Sequence, residues 1–167
     1  MAVTPSTSQM RYTGRGPVET TNVPTAASVA INTGDLLWLN SGVATPSSAF
    51  TWTTNLAGTQ PGFRQVFLGV ANEDKSVLDV STRTIQVVTR GVFKFPCAAL
   101  GGALHVGNLL GPDKDPNNNS LALQMLASVS GFTLSIGTLF EEAAAGATSL
   151  TALLQSWLIY TQQGANT

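Results

Sequence analysis

The chain has 167 residues, of which 10% are charged, and a formal net charge of −1. That length suits one compact core better than two domains, and the charge balance leaves no electrostatic footprint for nucleic acid or an anionic membrane surface. So sparse a charge complement is unusual on a soluble monomer and fits a surface largely covered by partners.

The first residues, MAVTPSTSQMRYTGRG, contain no apolar segment of the kind a secretory leader needs. No run approaches the roughly 18 apolar residues of a membrane helix. The expectation is a protein that stays where it is made. Residues 1–28 are rich in Thr, Ser, Pro and small side chains, with Arg11, Arg15 and Glu19 as their only charges. Such a stretch cannot bury enough apolar area to offset its own ordering entropy. Two readings stand: a disordered tail, or an extended arm ordered along a partner, where it adds a strand to that partner's sheet. Pro17 and Pro24 keep it extended. As an arm, it places Arg11, Tyr12, Arg15 and Pro17 against the partner.

From Ala26 the pattern changes. Residues 29–31 and 35–40 read as two short strands joined through Asn32, Thr33 and Gly34. Residues 41–63 form a Ser/Thr/Gly/Pro-rich connection, long for a structureless loop, so a short strand is expected over residues 50–53. Residues 64–71 (RQVFLGVA) read as a strand, 72–76 as a polar turn and 77–80 as a short strand. Over residues 84–95, Ile85, Val87, Thr89, Gly91, Phe93 and Phe95 alternate with Gln86, Val88, Arg90, Val92 and Lys94. This is the pattern of a half-buried antiparallel strand with one side in water. Gly91 marks a bend or bulge, and Pro96 ends the strand because it cannot donate to the ladder.

The second half repeats the first. An offset of 73 places Ala26 on Ala99, Ala30 on Ala103, Ile31 on Leu104, Gly34 on Gly107, Asp35 on Asn108, and Leu36-Leu37 on Leu109-Leu110. An offset of 68 places Gly69 on Gly137 and Glu73-Asp74 on Glu141-Glu142. The difference falls in the intervening loop, where an insertion is tolerated. Two related β-modules sharing one barrel or sandwich core follow. Near the C-terminus, Leu150, Leu153, Leu154, Trp157 and Leu158 have helical spacing, whereas the repeat requires a closing strand there. The strand is the preferred reading. The chain thus reads as all-β, a small barrel or sandwich over residues 29–167 with an internal two-fold repeat and an N-terminal arm over residues 1–28.

Catalytic equipment is sparse. His105 has no Cys, His or carboxylate at ligand spacing, and neither a phosphate-cradling G-x-x-x-x-G-K-[ST] loop nor a G-x-S-x-G elbow occurs. Cys97, after Pro96 and beside Ala98 and Ala99, reads as a small buried hydrophobe, and as the single cysteine it suits a reducing compartment. Asp113, Asp115, Asn117 and Asn119 alternate like the start of a calcium loop. Asn118 stands where that loop needs glycine, and Gln124 where it needs a bidentate carboxylate. A polar turn is the better reading. Glu141 and Glu142 are adjacent and belong to a solvated turn. Trp38, Trp52 and Trp157 suit a core or a subunit interface better than a sugar platform. No catalytic residue, cofactor or metal is expected.

Several short motifs occur together in one order: Gly34-Asp35-Leu36-Leu37-Trp38, Phe67-Leu68-Gly69-Val70-Ala71, Val92-Phe93-Lys94-Phe95-Pro96, Gly107-Asn108-Leu109-Leu110, and Ile136-Gly137 followed by Glu141-Glu142-Ala143-Ala144-Ala145-Gly146. In that order the chain resembles the DUF2190 family of phage capsid decoration (cement) proteins. The resemblance implies a β-tulip-like fold, no enzymatic activity and no cofactor. It further implies homotrimers on the outer surface of a bacteriophage head, assembled in the host cytoplasm, that staple neighbouring major capsid subunits without nucleic acid or membrane partners. This chain departs from the family in its longer N-terminal segment, its extended 41–63 loop and Cys97 where members often carry lysine. A carbohydrate-binding β-module and a head-fibre component on the virion surface are the alternatives.

Overall fold

The computed structural model describes residues 11–12, 16 and 18–161. In chain order these form β1 (Arg11–Tyr12), β2 (Glu19–Pro24), β3 (Leu36–Asn40), β4 (Val43–Pro46), α1 (Leu56–Val66), β5 (Phe67–Ala71), β6 (Thr84–Pro96), β7 (Leu109–Lys114), β8 (Leu121–Ser128), β9 (Gly137–Leu139), β10 (Ser149–Gln155) and α2 (Trp157–Thr161). The strands make one antiparallel sheet along the path β4-β3-β5-β6-β10-β9-β7-β8, with β1 and β2 added to β6. The protein is all-β, as its alternating segments require, and the sheet curls into a nearly closed, barrel-like form.

The repeat governs this architecture. The Thr25 N–H donates to Arg83 O at 2.8 Å, and the Cys97 N–H to Thr148 O at 2.9 Å. Ser28 bonds to Asp79 and Leu100 to Ala147 in the same sense. Ile31 and Lys75 form a reciprocal bridge, and so do Leu104 and Ala143. The Gly34 N–H reaches Ala71 O and the Gly107 N–H reaches Leu139 O, both at 2.9 Å, with φ at +97° and +90° in the two glycines. The offset between matched residues is 72 or 73 up to Gly34, 68 from Ala71 to Asp79 and 65 at Arg83, as the second copy's connections shorten.

These matches show how β6 is used. Its 13 residues belong to both units. The first part, paired with β2 and β5, closes the first unit, and the second part, paired with β10, opens the second. By the same offset β2 in the first unit corresponds to residues 91–96 in the second, and Pro24 corresponds to Pro96. Each unit curls on itself: Thr25 bridges Ala44 beyond the end of β2, and β8 lies against β6.

The cores correspond residue by residue. Val23, Ile31, Leu37, Leu68, Ala71, Ile85 and Val87 pack together in the first unit. Their counterparts Phe95, Leu104, Leu110, Ile136, Leu139, Leu150 and Ala152 belong to the larger second cluster. That cluster also takes in Leu36, Phe67, Val70 and Val88 from the opposite face of the first unit's sheet, with Phe63 of α1. The first unit is therefore covered on both faces. Each fully buried large apolar side chain contributes about 1.5–3 kcal/mol.

This double cover corrects the expectation that one face of β6 lies in water: Val88 and Val92 are buried together with Val87 and Phe93. The irregularity sits opposite Thr89, between the pairs Glu19–Arg90 and Thr20–Val88. Gly91 stays in register with Leu154. Its Cβ position would crowd Phe93 and Val88, so its role there is close packing.

Other local expectations also change. Residues 29–31 contribute one bridge rather than a strand, residues 77–80 are a turn, and residues 50–53 are irregular after a 3-10 turn at Ser47–Ala49. The strand expected over residues 64–71 begins at Phe67, because α1 runs to Val66. The expected C-terminal strand is β10, with the short α2 after it.

Helix α1 forms against its local propensity. It contains Gly58, Gly62 and an interior Pro61 that cannot donate to the preceding turn. The Asn55 side chain caps it by accepting the Gly58 N–H at 2.8 Å. Packing supplies the rest. Phe63 is fully buried between Phe50, 5.4 Å away, and Phe67, 5.7 Å away. The buried Gln60 Nε2 donates to Pro112 O at 2.8 Å, tying the helix to the second unit.

Candidate interaction surface

The side chains with reactive chemistry are committed to structural work. The turn leading into β3 is held by carboxylates: Asp35 Oδ2 accepts the Asn32 N–H at 2.8 Å, and Asp74 Oδ1 accepts the Thr33 N–H at 2.6 Å. The second unit repeats this with different residues. Asn108 Oδ1 accepts the His105 N–H at 2.8 Å, and Glu142 Oε1 accepts the Val106 N–H at 3.0 Å. Glu142 also meets His105 Nδ1 at 2.8 Å through its other oxygen, so His105 is an exposed member of a turn clamp. The Val106 N–H and then His105 hold the Glu142 carboxyl below its ordinary value. Glu141 instead accepts from Thr151 Oγ1 at 3.0 Å, so the two adjacent glutamates serve separate partners.

Asp35 is the exception in polarity. It is buried beneath the Gln124 amide, whose Nε2 donates to its Oδ1 at 2.9 Å. Burial pushes its pKa up, against the opposing hydrogen bonds from Asn32 and Gln124. Burial, then Asp113, likewise pushes up the Cys97 thiol, which lies 3.7 Å from Ala147 O. Cys97 is thus a small core side chain, as its neighbours in sequence imply. In the 113–120 turn, Asp115 accepts the N–H groups of Asn119 and Ser120, at 3.1 and 3.3 Å. Desolvation pushes its pKa up, and these bonds together with those from Asn117 outweigh it, so the pKa lies below the ordinary value. Asp113 bonds locally to the Lys114 N–H. These residues make an Asx-capped turn.

The three tryptophans divide. Trp38 is half-buried, donates Nε1–H to Pro46 O at 3.1 Å and meets Phe50 edge-on at 5.1 Å. Trp52 is half-buried against the core. Trp157 is 44% exposed and carries the Arg64 guanidinium 3.7 Å above its ring. Arg64 Nε donates to Ser135 O at 3.1 Å, and partial burial lowers its pKa. Arg64 and Trp157, with Phe67, Leu109, Phe132 and Gln155, line a shallow and mostly apolar groove.

Large apolar side chains project at the turns: Leu78 is 84% exposed, Val80 77%, Phe132 75% and Val106 60%. The turns that carry Leu78 and Val80 are fixed. Lys75 is itself buried, and its Nζ donates to Val29 O and Asp79 O, each at 3.2 Å. Asp79 in turn caps Ser81. Of the four residues assigned to the arm, Arg11 and Tyr12 form β1, opposite Lys94 and Phe93. Arg15 and Pro17 lie outside the described residues. Residues 19–24 of the same expected arm pair with β6 of their own chain. Sequence reading missed the Arg64–Trp157 pair, because the two residues are far apart in the chain and no local pattern joins them.

No family model and no curated protein matches the chain. Among solved structures it is similar to the N base of the head fibre gp8.5 of bacteriophage phi29. Identity is 14%, 83% of this chain and 96% of that chain are covered, and the TM-score is 0.43. Among the described residues, no helix is long and apolar enough to cross a membrane.

Proposed function

We propose that this chain is a non-catalytic structural protein of a bacteriophage virion. In this reading it is a decoration (cement) protein that binds the outside of the head, acts as a homotrimer and staples neighbouring major capsid subunits. The observation that carries the reading is the commitment of the polar chemistry to rigid turns, which hold apolar side chains out toward solvent. Asp74, Glu142, Asp79 and Lys75 are spent on backbone groups, while Leu78, Val80 and Val106 project from the turns they hold. Fixed apolar anchors of this kind lose little entropy on docking. The ordered set of motifs spread over residues 33–160 supports the same reading. Mechanically, internal pressure pushes capsid subunits apart, and each stapled seam adds buried area against it. A standard interface of about 1,200–2,000 Å² at each site suffices when many copies act together.

The test is co-sedimentation of the purified chain with expanded, undecorated heads of its own phage, followed by heating. Saturable binding at a fixed number of copies per head, with a raised disruption temperature, is expected. Heads that neither bind the chain nor gain heat resistance would sink the proposal. A carbohydrate-binding module or head-fibre component is the second reading, favoured by the exposed Trp157 and Phe132 beside the groove. Quenching of tryptophan fluorescence by glycans, without head binding, would select the carbohydrate-binding module; head binding without gain in heat resistance would select the head-fibre component.

A further inference from the structure

The repeat exposes a difference between the units at one strand edge. In the second unit, Phe93 and Lys94 of β6 pair with Ala152 and Thr151 of β10 on one side. The same two residues pair with Tyr12 and Arg11 of β1 on the other. At an offset of 72, their counterparts in the first unit are Thr21 and Asn22 of β2. Those residues pair with Val87 and Gln86 of β6, and among the described residues no strand lies on their other side. β4 approaches the end of β2, and the bridge between them forms just beyond Pro24, from Thr25 to Ala44. Thr20 and Asn22 are exposed. Among the described residues, the edge that one unit fills with an extended segment is left without a paired strand at Thr20, Thr21 and Asn22 in the other, where a further strand can pair.

We propose that the open edge of β2 is completed by residues 1–10 of a second copy of this chain, added as an antiparallel strand. This rests on, and deepens, the self-assembly in the function proposed above. Chain direction selects a second copy over the first. β1 runs antiparallel to β6, and Arg11, where residues 1–10 join the described chain, sits opposite Lys94 near the Pro96 end of β6. The molecule's own β2 lies along the other half, from Thr84 to Arg90. The composition suits a strand. MAVTPSTSQM carries no charged side chain to desolvate, and its Thr and Ser residues match the Thr20, Thr21 and Asn22 edge in cross-strand pairing. Ten extended residues reach about 33 Å, enough to cross from one molecule to the next. Because donor segment and acceptor edge are different surfaces, the contact is heterologous, and it closes into a ring when the rotation per copy allows.

The test uses full-length chains without heads, so its failure leaves the head-binding reading to its own assay. Thr7→Cys and Asn22→Cys proteins are prepared separately, mixed and mildly oxidised, with Asn117→Cys as the exposed control; the native Cys97 is buried. The expected result is an interchain disulfide between Thr7→Cys and Asn22→Cys at least tenfold above the control pair. In sedimentation, the unmodified chain should exceed the monomer mass. A chain lacking residues 1–10 should sediment as a monomer with an unchanged circular dichroism spectrum. Cross-linking no better than the control, or an unchanged mass after the deletion, would overturn the proposal. If the truncated chain does not fold, the cross-linking comparison decides alone.

Discussion

Two glycines at matched positions give the sharpest test of the doubled architecture. Gly69 in β5 and Gly137 in β9 are 68 residues apart, the offset that relates Ala71 to Leu139. A Cβ on Gly69 would fall inside the van der Waals shell of the Val88 carbonyl oxygen and 3.0 Å from Val88 C and Val87 Cγ1. A Cβ on Gly137 would meet the Leu153 carbonyl oxygen in the same way, and also Leu154 Cδ2 at 2.7 Å. Val88 and Leu153 are themselves matched residues, so each unit brings its closing strand against its third strand where only glycine fits. Gly69 also has φ of +151°, which adds strain for any other residue. The obstruction is backbone in both cases, and a rotamer change cannot relieve it. The ladder must move, at a cost of about 3 kcal/mol or more, a large share of the roughly 5–15 kcal/mol that stabilises a domain. Urea unfolding of Gly69→Ala, Gly137→Ala and the control Gly101→Ala measures this, since a Cβ on Gly101 meets nothing within 4 Å. Both ladder variants should lose at least about 3 kcal/mol, and the control should stay within about 0.5 kcal/mol. A loss below about 1 kcal/mol at either ladder position would refute the close approach and its repetition.

Asp35→Asn substitutes the residue that the second unit already carries at Asn108. Because burial raises the Asp35 pKa from 3.8, its stabilising contribution is complete below the ordinary aspartate value and is lost as pH rises through the raised one. The Asn variant should therefore gain about 1 kcal/mol at neutral pH, and the gain should vanish in acid; thermal melts across pH 3–8 check the sign. Asp74 and Glu142 have lowered pKa values, so their turn contacts strengthen above the ordinary carboxylate range and weaken as pH falls through the lowered values. Amide exchange at Thr33 and Val106 should accelerate on acidification, beyond the intrinsic pH dependence, relative to Gly34 and Gly107, whose acceptors are backbone carbonyls. Phe63→Ala empties a fully buried site between Phe50 and Phe67 and should cost about 3–5 kcal/mol in urea unfolding. A loss under about 1.5 kcal/mol would show that α1 is dispensable to the core.

Periodicity and repetition carried the all-β class, the long strand ending at Pro96 and the pairing of the two halves. Alternation with a period of two follows from strand geometry alone, and matched turns need matched Gly, Asx and acidic residues wherever they occur in the chain. The strand at residues 149–155 was legible for the same reason: the repeat required it, although its leucine spacing also suited a helix. What the sequence could not decide was which faces would be covered. Val88 and Val92 look solvent-facing beside Gln86 and Arg90, and they are buried because the second unit and the N-terminal strands pack there. Helix α1, with Gly58, Pro61 and Gly62, is stabilised by Phe63 and Gln60 meeting residues far away in the chain. The Arg64–Trp157 stack and the open edge of β2 are likewise long-range outcomes. Local pattern sets what each segment can become, because it acts through the backbone of that segment. Burial and pairing depend on distant segments arriving together, and only the folded chain decides that.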